Sequence, residues 1–280
     1  MSPSTFSARI PARDGYPLGV EIVPAADTSR VVVINAAIGV SKRFYRPFAE
    51  ALAAAGMTTI LWDYRGIGAS KPASLRGFEA TAVDWVLNDM AAVIDWCRQE
   101  FEPRLFLIGH SFGGQVAGLL DNSRWVSGMV TLSAQSGYWR LQGGEQKLAV
   151  LFHAYVSFPI LTRLWGYAPW SRLGLGEDLP KAAALQWAGW LRKPEYLLGD
   201  DSLPLERYAS FTAPVLAYSF TDDKWGTARS VDAMMKAYPN VERRDVAPTD
   251  FGLASIGHVG FFRPRSTLLW NEVIEWLHAN

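Results

Sequence analysis

The 280-residue chain has a single cysteine, Cys97, so it cannot form an internal disulfide bond. This scarcity gives no sign of an oxidising compartment, where small domains rely on disulfides. The chain also lacks an excess of charge of either sign, because 27 basic residues balance 27 acidic ones. A balanced surface argues against nucleic acid as a partner, since that affinity rests on clustered lysine and arginine.

Long apolar runs are also missing, and the absence of 18 consecutive apolar residues predicts no membrane-spanning segment. Residues 1–5 do not begin a charged region followed by an apolar stretch, so we expect no secretory signal. The four histidines are not grouped at ligand spacing, which predicts no metal site, and no organic cofactor is implied. We therefore expect a soluble, cytoplasmic protein that is not an integral membrane protein, with its oligomeric state left open.

Strand-like and helix-like segments alternate along most of the chain. Asp14-Gly15 lies between two apolar runs and predicts a hairpin. Strands are predicted at 30–34, 58–62, 104–108, 128–133, 214–220 and 241–246, and helices at 42–55, 81–99, 113–120, 228–237 and 264–278. This alternation is typical of an α/β protein with a parallel sheet, right-handed crossovers and helices on both faces.

The alternation stops near Ala134 and resumes near Pro214. We interpret 1–134 and 211–280 as the core domain and 135–210 as a helical cap inserted in it. The cap has broken helical segments at 146–155, 159–165 and 180–193, and it holds five of the twelve tryptophans. An insertion this long, helical and apolar is more than a loop, and we expect it to cover the sheet's C-terminal edge.

Gly109-His110-Ser111-Phe112-Gly113 fits the Gly-x-Ser-x-Gly nucleophile elbow and directly follows an apolar strand. A serine hydroxyl needs a base to take its proton, and the base needs a third group to hold its tautomer. Asp222 and Asp223 follow the predicted strand 214–220, and His258 lies in a glycine-flanked loop before the last helix. The chain therefore has nucleophile, acid and base in the order of a doubly wound hydrolase.

The chain resembles the α/β-hydrolase superfamily, close to bacterial serine hydrolases with a serine-aminopeptidase-like core. The motifs that carry this resemblance lie at 35–40, 63–70, 109–114 and 257–262. It implies an eight-stranded, mostly parallel sheet with one antiparallel strand near its start. It also implies Asp223, three residues beyond Phe220, as the acid in preference to Asp222. The expected oxyanion hole consists of the backbone amides of Phe112 and Ala37.

We therefore expect a serine hydrolase in which Ser111 is the nucleophile, His258 the base and Asp223 the group that orients it. The substrate is expected to be a small molecule with an apolar acyl chain. Aromatic residues of the cap are usually part of its core, but some are candidates for contacting the substrate. The candidates are Tyr155, Trp165, Trp187 and Trp190. Esterase activity is favoured; an amidase or peptidase acting on N-acyl amines, and a non-catalytic ligand receptor, are the alternatives. His110 is assigned to packing or turn structure, and His153 to packing within the cap.

Overall fold

A computed structural model describes residues 4–26 and 29–280. Its strands in chain order are β1 (Phe6–Pro11), β2 (Pro17–Val23), β3 (Arg30–Asn35), β4 (Thr58–Trp62), β5 (Arg104–His110), β6 (Val126–Leu132), β7 (Tyr167–Ala168), β8 (Leu179–Pro180), β9 (Val215–Phe220) and β10 (Val241–Val246). Eight of them form one sheet in the order β1-β2-β4-β3-β5-β6-β9-β10, while β7 and β8 pair separately. β2 runs antiparallel to both of its neighbours, β1 and β4, and the other strand pairs in the large sheet are parallel, which confirms the expected α/β-hydrolase architecture.

The central strands are buried along almost their whole length. Val31, Val32 and Val33 of β3 are fully buried, and β4 and most of β5 share this pattern. Continuous β-branched and aliphatic runs are favoured when both faces of a parallel sheet are covered by helices. The carboxyl ends of these strands lie at one edge, which is where ligands bind in open α/β sheets.

The α-helices in chain order are α1 (Arg46–Ala54), α2 (Ala82–Asp84), α3 (Ala91–Phe101), α4 (Phe112–Gln115), α5 (Gln146–Phe152), α6 (Phe158–Trp165), α7 (Lys181–Leu191), α8 (Arg207–Ser210), α9 (Ala228–Met235) and α10 (Thr267–Ala279). A π-helical segment at Trp85–Met90 joins α2 to α3, so one long helix occupies the predicted range 81–99. Thr81 begins this helix with a capping box that involves Asp84.

The helix predicted at 113–120 is wrong in its length, because α4 is a single turn followed by a short 3-10 turn. Tyrosine hydroxyls from distant segments take the place of helical hydrogen bonds here. Tyr208 Oη donates to the Gln115 carbonyl at 2.6 Å, and the Gly118 amide donates to Tyr238 Oη at 2.9 Å. The glycines in this stretch also have low intrinsic helix propensity.

The cap leaves the sheet after β6 and returns at β9. The break predicted between residues 155 and 159 is wrong, because α5 and α6 are joined by the π-helical segment His153–Ser157 into one helix. Pro159 lies inside this continuous helix, directly after the π-helical segment, whose wider turn accommodates the missing N–H. The resulting 20-residue helix, Gln146–Trp165, contains an 18-residue window with a mean hydropathy of 1.4 and is long and apolar enough to cross a membrane by length and composition alone. Lys147, His153 and Arg163 interrupt it, so the helix is not a continuous apolar run, and a single helix of this kind is weak evidence for a membrane span.

Candidate active site

Ser111 stands at the sharp turn between β5 and α4. Its backbone has φ +48° and ψ −115°, a conformation that costs free energy for a residue other than glycine. A Cβ atom at Gly109 would overlap Gly114, and one at Gly113 would overlap the backbone of Asn35. The two glycines of the motif are therefore required for this turn, which holds Ser111 at the edge of an internal cavity.

His258 and Asp223 are joined by a hydrogen bond of 2.8 Å between Nδ1 and Oδ2. Burial alone would raise the pKa of Asp223, but the adjacent His258 and the hydrogen bond to it hold the pKa below its ordinary value. The carboxylate is therefore ionised and can only accept, so Nδ1 of His258 carries the proton. In the neutral ring this tautomer leaves Nε2 free to act as a base.

Asp222 makes no side-chain hydrogen bond to this pair among the described residues and holds the histidine loop instead. Its two carboxylate oxygens accept hydrogen bonds of 2.9 Å from the amides of Ile256 and Gly257. The neighbouring aspartates thus have separate contacts, Asp223 with the imidazole and Asp222 with the backbone that precedes it.

The Ser111 hydroxyl is directed at Gln135 rather than at His258. Its Oγ donates to Gln135 Oε1 at 3.3 Å, and Gln115 Nε2 donates to the same oxygen at 3.3 Å. No hydrogen bond between Ser111 and His258 is present among the described residues, although both side chains line the same cavity. Catalytic hydrogen bonds are often long or misaligned without substrate, and rotation of the serine side chain changes its partner.

His110 has a larger part in the site than the packing role predicted for it. Its Nε2 lies 2.9 Å from the carbonyl oxygen of His258, and its Nδ1 lies 2.8 Å from Tyr45 Oη. Burial lowers the pKa of His110 to about 3, so the ring is neutral. A carbonyl can only accept, so Nε2 donates to it and Nδ1 accepts from Tyr45. The position of His110, immediately before the nucleophile, was the available sequence signal.

The two predicted oxyanion donors differ in their surroundings. The amide of Phe112 makes no hydrogen bond within the described chain, as expected for the first residue of a helix. The amide of Ala37 donates to Tyr45 Oη at 2.8 Å and is therefore already engaged. The next amide in that loop, Ile38, has no hydrogen-bond acceptor among residues 4–26 and 29–280.

A cavity of about 190 Å³ lies between the sheet edge and the cap. Side chains from both parts line it, and most of them are apolar or aromatic: Ala37, Ile38, Val40, His110, Ser111, Gln115, Gln135, His153, Trp170, Leu175, Trp187, Leu191, Tyr196, Trp225, His258 and Val259. The lining residues include no carboxylate. Nor do the described His, Cys, Asp and Glu side chains form a group of three that could hold a metal ion.

Of the four cap aromatics predicted to contact substrate, only Trp187 lines this cavity. Its Nε1 donates to Tyr196 Oη at 2.8 Å. Trp190 is buried and donates instead to Asp200 Oδ2 at 2.6 Å. Tyr155 is 53% exposed on the outside of the cap, and Trp165 ends α6 away from the cavity lining. The spacing of these aromatic residues along the sequence does not indicate which of them lines the cavity and which is buried or exposed elsewhere.

Known proteins resemble this chain in both sequence and fold. A family model described as serine aminopeptidase, S33, matches residues 26–165, which is half of the chain. A curated relative, "Putative carbamate hydrolase RutD" of Variovorax paradoxus, is 33% identical over 123 residues, and the chain spans 43% of that relative's length. A soluble variant of monoglyceride lipase from Saccharomyces cerevisiae has a TM-score of 0.70 at 16% identity, with 100% of this chain and 95% of that one covered. The esterase EaEST from Exiguobacterium antarcticum has a TM-score of 0.64 at 18% identity, with 98% and 100% covered.

Proposed function

The chain belongs to the serine aminopeptidase, S33, family of α/β-hydrolases and is a serine hydrolase, and we propose that it cleaves a carboxylic ester of an apolar acyl group. The observation that supports this most directly is the 2.8 Å bond between His258 and Asp223, beside a cavity that Ser111 also lines. A small-molecule substrate fits a cavity of this size. We also propose the cytoplasm as its location, with which the buried single cysteine is consistent.

In the proposed reaction the Ser111 side chain rotates from Gln135 towards His258. Its Oγ attacks the acyl carbonyl carbon while His258 Nε2 takes the proton, and Asp223 stabilises the resulting imidazolium. The tetrahedral oxyanion receives hydrogen bonds from the amides of Phe112 and Ile38, since Ala37 is engaged by Tyr45. The leaving alcohol departs with the proton from His258. Water then attacks the acyl-enzyme by the same route and releases the acid.

The cavity also indicates the size of the acyl group. An apolar cavity of about 150 Å³ accommodates benzene, so about 190 Å³ suits an acyl group of roughly six to eight carbons. Apolar lining stabilises each buried methylene by about 0.8 kcal/mol. We therefore expect kcat/KM on p-nitrophenyl esters to rise with chain length and to reach its maximum at intermediate length.

A second candidate is cleavage of an amide or carbamate bond. The name of the RutD relative favours it, because a carbamate has nitrogen on its carbonyl carbon. The lining supports a neutral rather than a cationic amine, because it contains no carboxylate to pair with an ammonium group. Acyl amides and carbamates of matched chain length, assayed beside the esters, distinguish the two candidates.

Labelling by a fluorophosphonate probe tests the nucleophile itself. We expect the wild-type protein to be labelled and Ser111→Ala to be unlabelled, with kcat reduced by about 10⁴ to 10⁶. Ser157→Ala, a buried serine of the cap helix, is the matched control and should be labelled normally. Labelling that persists in Ser111→Ala would refute this nucleophile. A wild-type protein that never reacts would favour a ligand receptor on the same fold.

A further inference from the structure

The helix Gln146–Trp165 has large apolar side chains on the side that faces solvent. They recur at intervals of three or four residues, with one adjacent pair, and so form one stripe. Two exposed leucines follow in the next segment of the cap. We call the stripe on the helix the cap outer face, and its residues are Leu148, Phe152, Tyr155, Val156, Ile160 and Leu164, each at least 38% exposed. Exposed apolar patches of this extent mark interaction surfaces more often than chance.

The opposite side of the same helix already has its partners inside the protein. Ala154, Phe158 and Thr162 are buried within the cap, and Phe158 packs against Trp170 and Trp187 with ring centroids 5.2 and 5.6 Å apart. The apolar residues of the cap outer face are therefore not needed for docking the cap. Nothing in the described part of the chain covers them.

Cations predominate in the cap helix and in the segment that follows it. From residue 146 to residue 176 the charged side chains are Lys147, Arg163 and Arg172, with no aspartate or glutamate, in a chain of zero net charge. Arg192 lies beside the face, stacked 5.2 Å from the ring of Tyr155. Of the acidic residues just outside this range, Glu145 pairs with Lys224 and Asp178 with Lys71, while Glu177 makes no ion pair among the described residues.

Aliphatic and aromatic side chains flanked by cations are typical of helices that lie in the interface of anionic membranes. A second copy of the chain fits this surface less well. Packing two such faces about a two-fold axis would bring Lys147, Arg163 and Arg172 towards cations of the other copy. An anionic lipid surface buries the same apolar side chains and also pairs with these cations.

We propose that the cap outer face docks on the surface of a membrane that contains anionic phospholipids. His153 of the same helix lines the active-site cavity, and so does the exposed Leu175 of the segment that follows. Docking would therefore bring the cavity entrance to the lipid interface, where apolar esters concentrate. The protein remains peripheral, because the inner side of the helix is part of the folded cap.

Co-sedimentation with vesicles tests the docking. We expect the purified full chain to bind vesicles of phosphatidylcholine mixed with phosphatidylglycerol, and to bind them less at high salt. Each of Leu148→Ser, Ile160→Ser and Leu164→Ser should weaken binding by about tenfold. Lys147→Gln and Arg163→Gln should each weaken it by about fivefold. Leu268→Ser is the matched control, since Leu268 on α10 is 61% exposed against 62% for Leu164, and it should bind normally.

Three results would overturn the proposal. The first is no binding to mixed vesicles. The second is equal binding to pure phosphatidylcholine vesicles that does not change in Lys147→Gln. The third is a dimer, detected by light scattering, that Leu164→Ser converts to monomer. Fluorophosphonate labelling and hydrolysis of a soluble short-chain ester should be unchanged in all these variants, which also shows that they fold. A failure of docking is thereby distinguished from a failure of the proposed chemistry.

Discussion

The aspartates at positions 222 and 223 are adjacent in sequence but bind different parts of the histidine loop. Asn in place of Asp223 would present an amide to His258 Nδ1 and favour the wrong tautomer. We expect Asp223→Asn to lower kcat by about 10⁴ with folding retained. Asp222→Asn keeps one of the two acceptors for the amides of Ile256 and Gly257, so we expect kcat to fall by about tenfold or less. Steady-state kinetics on one ester measures both variants, and the reverse order of effects would contradict the assignment.

Tyr45 connects three parts of the site through one hydroxyl group. It accepts from the Ala37 amide and donates to His110, which in turn donates to the His258 carbonyl. Removing the hydroxyl in Tyr45→Phe leaves two buried groups unpaired, so we expect the free energy of unfolding to fall by about 1–3 kcal/mol. We also expect kcat to fall by about tenfold with little change in KM, because His258 loses its support.

Tyr64→Phe is the control for this prediction. Tyr64 is also fully buried beside the same loop, but its hydroxyl only donates to the Ala36 carbonyl at 3.2 Å. Removal of the Tyr64 hydroxyl should therefore change the free energy of unfolding more than it changes kcat. Equal effects of the two variants on kcat would show that Tyr45 has no special positioning role.

At the scale of elements, the turn from β5 into α4 depends on glycine where the backbone meets β3. A methyl group at Gly113 would overlap the carbonyl of Asn35, which cannot move without shifting its strand. We expect Gly113→Ala to lower the free energy of unfolding by about 3 kcal/mol. Gly189→Ala is the control, because a Cβ atom added to Gly189 within α7 would lie 3.9 Å from Arg192 Nη2, an ordinary contact distance. This substitution should stabilise the helix by about 0.5–1 kcal/mol. Chemical denaturation measures both changes, and a harmless Gly113→Ala would contradict the packing described.

The cap helix α7 presents two tryptophans to different environments. Trp187 lines the cavity, whereas Trp190 is buried against Asp200. We expect Trp187→Phe to shift the preferred acyl chain length of p-nitrophenyl esters towards longer chains, because the smaller ring enlarges the cavity. Trp190→Phe should lower thermal stability and leave that preference unchanged. A shift of chain-length preference in Trp190→Phe alone would place the acyl site elsewhere.

At the scale of the whole molecule, the sheet could be predicted because its signals are local. The apolar runs that form β3, β4 and β5 and the turn residues between them are contiguous in sequence. The strained Ser111 turn could also be predicted, since its glycines lie within two residues of it. Two contacts could not be predicted, because they depend on how separate segments pack. They are the hydrogen bond from the Ala37 amide to Tyr45 and the one from Trp190 to Asp200. The helix through Pro159 escaped prediction because a π-helical turn accommodates the proline.

The pH dependence of stability is a further property of the whole molecule. His110 is fully buried, and burial lowers its pKa from 6.5 to about 3. Between these values the unfolded chain binds a proton at this residue and the folded chain does not, so stability falls as the pH is lowered. The free energy of unfolding falls by about 1.4 kcal/mol per pH unit well below pH 6.5, and by about 2 kcal/mol between about pH 7 and about pH 5.

A second buried group acts in the opposite direction over part of this range. Burial raises the pKa of Asp89 to about 6 against the opposing effect of Arg65, so the folded chain binds this proton more tightly and gains stability as the pH falls. The loss of the free energy of unfolding on acidification is therefore compared between the wild type and His110→Gln. The contribution of Asp89 is the same in both proteins and cancels in this comparison. Urea denaturation at both pH values should show the wild type losing about 2 kcal/mol more than His110→Gln on acidification. If the two proteins lose the same amount, the imidazole is not held neutral in the folded state, and the directions assigned to the hydrogen bonds from Tyr45 to His258 must change.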